Sequence, residues 1–189
     1  MTTKGTRGPA FWALQGPGWL LLIYLIYAQG ISAFGYEMGV AMGTQEAAEA
    51  ITEVGAAFWY GFALGDLLTY IPILCVGLIG HLRGTHWGRI ALAAALGITV
   101  YWPVVSLAAL VDARDAAGWN VASEMPYWVV CLLIAAWGAW GLWLIMGESR
   151  QMQAEAISKT VQGGERRFSG VQCAQVDRLP VVRTAEPLA

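Results

Sequence analysis

Charge is scarce in this chain. Only 13% of its 189 residues are charged, about half the quarter found in soluble domains, and 57% are hydrophobic. That balance excludes an ordinary water-soluble globule. Cysteine is scarce too: Cys75, Cys131 and Cys173 lie far apart, which gives neither a disulfide framework nor a zinc pattern. No phosphate loop, nucleophile elbow or metalloprotease signature occurs, and this counts against familiar hydrolase and nucleotide chemistry. A net charge of −2 supplies no basic surface for nucleic acid.

What the chain has instead is apolar length. A helix needs about 20 mostly apolar residues to cross a hydrocarbon core of about 30 Å. Four stretches qualify, from about Gly18 to Val40, Ala56 to Gly80, Ile90 to Val111 and Pro126 to Met146. They are continuous, without the two-residue alternation of a barrel wall. The first exceeds a signal-peptide core in length and ends in no clear cleavage site, so it is expected to be retained. The fold class is therefore an all-α integral membrane protein, with four transmembrane helices in an up-down bundle.

The few charges orient it. All but one of the eleven Lys and Arg residues, among them Lys4, Arg7, Arg83, Arg89 and Arg150, fall on one side of the spans, and only Arg114 falls on the other. The two opposite connections are acidic, with Glu46, Glu49 and Glu53 in one and Asp112, Asp115 and Glu124 in the other. The positive-inside bias places both termini in the cytoplasm, and the Ala-, Gly- and Arg-rich composition points to a bacterial inner (plasma) membrane. Trp12, Trp19, Trp87, Trp119, Tyr127 and Trp128 fall at the expected interfaces, where amphipathic rings favour the headgroup depth.

Residues 1–17 read as a cytoplasmic lead-in, 18–147 as the transmembrane domain and 148–189 as a polar cytoplasmic tail. The tail begins with a short helical extension. Beyond Gly163 and Gly164, with Pro180 and Pro187, it has too few apolar residues for a core and is expected to be disordered, a solubilising overhang or a partner-docking segment.

Lipid gives helices no hydrophobic reason to associate, so small residues and interhelical polar bonds must hold them together. Gly35 and Gly39 in the first span and Gly61 and Gly65 in the second have the four-residue spacing for close packing, within one chain or against a second copy in a homodimer. Trp137, Trp140 and Trp143 recur every three residues on the fourth span, as packed bulk, a lipid-facing stripe or the lining of a groove for an apolar ring. Pro72 and Pro103 kink adjacent spans in similar settings, Thr69-Tyr70-Ile71-Pro72 and Tyr101-Trp102-Pro103, and two kinked neighbours can frame a cavity.

Asp66 is the most informative single residue. It lies about ten residues from either end of its span, hence about 15 Å from each boundary, where ionisable groups are costly and face the protein interior. An α-helical period puts Phe62, Thr69 and Tyr70 beside it. The face suits a proton, a cation or the polar head of an apolar ligand, and equally a carboxyl that ties two helices together. Glu37 is a candidate second acid above it, and Tyr101 a further polar neighbour. Arg114 is the expected partner for one of the acids in the first outer connection, and those acids have no spacing that specifies a metal. His81 offers axial ligation to a haem or pigment only weakly, because no second histidine faces it at matched depth; no cofactor is predicted.

These features point first to a non-catalytic protein, either an accessory or assembly subunit of a membrane complex or a binder of a small amphiphile. The first alternative is a small proton- or cation-coupled transporter using Asp66. The second is a membrane enzyme acting on lipid or isoprenoid through Asp66 and Tyr70.

Overall fold

The computed structural model describes residues 7–176. Lys4, Arg178, Pro180, Arg183 and Pro187 lie outside the described residues. The described residues form helices joined by short connections, with no strand among them, and four of the helices are long and apolar enough to cross a membrane: Pro9–Phe34, Ala48–Leu82, His86–Ala113 and Met125–Glu148. The chain forms two compact units, Met1–Met146 and Gly147–Ala189.

The first long helix starts and stops earlier than its hydropathy suggests. α1 (Pro9–Leu25) opens with a proline in its first turn, where the missing N–H has no intrahelical partner to lose. A π turn (Ile26–Gly30) and α2 (Ile31–Phe34) continue it. Gly35 is extended, at φ −170° and ψ 107°, so the span ends at Phe34 rather than at Val40, and α3 (Tyr36–Ala41) starts anew. Pro17 lies inside α1. Its ring cannot bond the carbonyl of Ala13, and that carbonyl accepts the Trp137 indole N–H at 3.2 Å. A proline that weakens one helix thus ties it to another.

The second long helix runs from α4 (Ala48–Gly65) through a π turn (Asp66–Tyr70) into α5 (Ile71–Leu82). Near its start Thr52 has φ 67° and ψ 161°, a strained conformation for a β-branched residue. Its Oγ1 accepts the Gly55 N–H, as an N-cap does, so the regular helix restarts there. The connection after α6 lies against this point: Asn120 N–H donates to the Ala50 carbonyl at 2.7 Å, and a Cβ at Gly118 would be 2.9 Å from Thr52 Cγ2.

α5 and α6 (His86–Ala113) form the tightest pair. Gly84, at φ +70°, turns the chain, and the Thr85 side chain caps α6 by accepting the Gly88 N–H. A Cβ at Gly88 would lie 2.1 Å from the Gly80 carbonyl carbon, and one at Gly77 would lie 2.7 Å from the Leu92 backbone. Here the two main chains touch. The expected sites of close approach differ: a Cβ at Gly35, Gly61 or Gly65 would meet nothing within 4 Å, and among the four glycines singled out from the sequence only Gly39 is crowded, by Ser32 Oγ. A four-residue glycine spacing shows that a helix face is flat, and the partner's position decides whether that face is used. Around the α5–α6 hairpin the core gathers Leu14, Leu22, Leu74, Leu78, Leu92 and Leu96.

α7 is one helix, Met125–Val176. It extends past Gly163 and Gly164, further than the short extension expected, at a propensity cost of only about 1 kcal/mol per glycine. On the first unit's part of α7, Gly138 and Gly141 face Thr99 and Leu14. The tryptophan stripe does not act as one surface: Trp137 packs on the core, while Trp140 and Trp143 are exposed.

Arg114 bonds Glu124 across the α6–α7 connection, with its Nε 2.8 Å from Oε1 and its terminal nitrogen on Oε2, and not one of the acids before the second span. These hydrogen bonds hold the Glu124 carboxyl below its ordinary range. A depressed carboxyl stabilises above its unfolded value and loses that contribution as pH falls through the folded one. The Trp128 indole N–H also donates to Glu124, so its NMR signal reports the titration. Its acid midpoint is expected below the ordinary glutamate value of about 4.3; a midpoint at or above that value would show the pair to be absent in solution.

Candidate functional site

The two π turns place the polar centre of the molecule. A π turn inserts one residue into a helix, rotates everything beyond it, and recurs at functional sites. Here one occurs in each of the first two long helices, at Ile26–Gly30 and Asp66–Tyr70, and the two pack against each other. The second turns Asp66 and Tyr70 inward, at 6% and 4% exposure. Tyr70 and Thr99 Oγ1 are 2.5 Å apart, and Thr99 donates to the Ala95 carbonyl at 2.8 Å, so the phenol is the donor to Thr99. Asp66 Oδ2 is buried with no hydrogen-bond partner, which is costly in a low-dielectric interior. Gln29, buried in the other π turn, accepts from Gln45 at 3.3 Å.

The rest of the sequence-derived set does not join this centre. Thr69 is exposed because the π turn departs from the α period that placed it beside Asp66. Tyr101 is 63% exposed, and Glu37 is exposed on α3, so Glu37 is not a second buried acid beside Asp66. Thr99 and Ser106 were missed. Isolated small polar residues in an apolar run leave no periodic signal.

Toward the acidic connections, a pocket of about 240 Å³ lies between α4 and α6 and is bordered by the start of α7 and the preceding connection. Its walls include Phe58, Trp59, Phe62, Leu110, Trp119 and Tyr127. Glu46 and Ser106 also line it. Glu46 accepts the Tyr127 hydroxyl, and Ser106, only 7% exposed, has a hydroxyl with no hydrogen-bond partner. The pairing of Tyr70 with Thr99 sets an antiparallel register that brings Phe62 and Ser106 together, one helical turn from Asp66 along α4.

A third polar cluster lies near the basic end. Gln15, fully buried, donates to the Leu78 carbonyl at 3.3 Å, meets His81 Nδ1 at 2.9 Å and accepts the Trp19 indole N–H at 2.9 Å. Phe11 stacks on the His81 ring, with Arg7 over Phe11. His81 thus meets Gln15 through one nitrogen and Phe11 through one ring face, and ties α5 to α1. Gln15→Leu removes all three bonds and is expected to cost about 1–3 kcal/mol, read as a lower unfolding midpoint in detergent; an unchanged midpoint would show that the cluster carries no stability.

No family model, curated protein or solved structure matches the chain. The site therefore has to be read from its own chemistry. Among the described residues no three His, Cys, Asp or Glu side chains gather to hold a metal. The arrangement offers an aromatic-walled pocket lined by Glu46 and Ser106, with the unpartnered Asp66 carboxyl one helical turn from Phe62.

Proposed function

We propose that this is a non-catalytic four-span membrane protein that binds a small amphiphile, with both termini cytoplasmic in a bacterial inner membrane. The carrying observation is the pocket between α4 and α6, apolar along its length, with the unpartnered Ser106 hydroxyl in its wall. Ligand sites of this kind combine a mostly apolar concavity with a few placed polar groups. An apolar cavity of about 150 Å³ holds a benzene ring, so about 240 Å³ takes a larger ring or a short branched chain. The orientation rests on the basic bias of the two ends and the connection at residues 83–89.

Ala109 lines the pocket from an exposed position on α6. Ala109→Phe is expected to fill the space without unfolding the chain. Mass spectrometry of extracts from the purified protein should show an amphiphile that co-elutes with the wild type and is depleted at least about tenfold in the variant. Identical extracts from the two would remove the pocket from the function.

A second reading, a small proton- or cation-coupled transporter, is favoured by the unpartnered Asp66 oxygen between paired π turns. Intramembrane acids that face a protein interior are the usual carriers of such coupling.

A further inference from the structure

The walls of the pocket bear on the class of its ligand, an inference that rests on the amphiphile-binding reading. Glu46 is the only charged side chain among the described lining residues. Its carboxylate accepts the Tyr127 hydroxyl, and its backbone carbonyl accepts the Tyr36 hydroxyl at 2.8 Å. Both partners are uncharged phenols, so they fix the residue in place without neutralising it. Arg114, the cation of the nearby connection, is committed to Glu124.

Tyr127 sits on this carboxylate, and Trp59 and Trp119 line the same pocket. An aromatic face attracts a cation through its quadrupole, most strongly for tryptophan, and a carboxylate at the same place adds Coulombic attraction that an anion would feel as repulsion.

We infer that the pocket takes a lipophilic organic cation, an ammonium group carried on an apolar ring, with its charge beside Glu46 and its ring against the packed Phe58–Phe62 pair.

The test is calorimetric titration of the full chain in dodecyl maltoside, a neutral detergent without ammonium groups, with empty micelles as blank. The probes are benzyltrimethylammonium and neopentylbenzene, its uncharged isostere. The wild type should bind the cation at least about tenfold more tightly than the isostere. Glu46→Gln, which keeps an oxygen for Tyr127, should bring the two affinities together, and Ala109→Phe should lose both probes while still eluting as a single folded species. Equal affinities in the wild type, or a preference that survives in Glu46→Gln, would overturn the cationic assignment and leave the amphiphile pocket standing. If neither probe binds above the blank, both readings fall. Adding phosphatidylethanolamine should leave the cation's affinity unchanged; displacement would assign the site to a lipid ammonium headgroup and overturn the free cation as ligand.

Discussion

Gly88→Ala is expected to be the most damaging small substitution in the transmembrane part of the chain. The new methyl would sit 2.1 Å from the Gly80 carbonyl carbon and 2.3 Å from its Cα. Both are backbone atoms and cannot rotate away. Overpacking in a well-packed interior costs about 1–3 kcal/mol when side chains can adjust, and here the helices themselves must part, so the loss is expected at or above about 3 kcal/mol. In lipid no hydrophobic term compensates for separated helices. Thermal unfolding in detergent should show a large drop in midpoint or failure to recover monodisperse protein. Gly61→Ala and Gly65→Ala are the contrast: a Cβ at either meets nothing, and alanine favours the helix by about 1 kcal/mol, so both should be neutral or slightly stabilising. The reverse order would mean that the helices meet through the Gly61–Gly65 face, as in a homodimer.

Asp66→Leu is expected to raise stability and abolish any ion-coupled flux. The carboxyl is 6% exposed, and its Oδ2 has no hydrogen-bond partner. An unsatisfied buried polar group costs about 1–3 kcal/mol, and leucine removes that cost while keeping the branched shape. A gain of about 1–3 kcal/mol in the unfolding midpoint experiment would mark Asp66 as a residue held against stability. Asp66→Asn separates shape from ionisation: under the transporter reading it should keep the fold and lose uptake or efflux in proteoliposomes. If Asp66→Leu instead lowers stability, the carboxyl is a helix tie and the transporter reading loses its central residue. Flux that persists in Asp66→Asn would take Asp66 out of any transport mechanism.

Membership of the spans was legible in the sequence because hydrocarbon is an unforgiving solvent. Long runs without charge have few other uses, and the four apolar helices of the structure overlap all four expected stretches. The burial of Asp66 and Tyr70 was legible for the same reason. Thr69 and Glu37 lie exposed because the α period does not run unbroken through a helix that contains a π turn or past a glycine that is extended. Neither irregularity has a composition of its own. Gly35 in an apolar run looks like a packing glycine, and Asp66–Tyr70 looks like ordinary helix.

The sequence by itself determined how many helices can cross the membrane, which connections carry acid and which base, and that one ionisable residue lies deep. Those are one-dimensional properties, set by the cost of placing each side chain in hydrocarbon. Only the tertiary structure decided which glycines let backbones touch, that the Ala13 carbonyl freed by Pro17 is claimed by Trp137, and that Ser106 and Glu46 line one aromatic pocket. Each of these depends on a partner distant in the chain, and on a helix rotation that a single inserted residue in a π turn is enough to change.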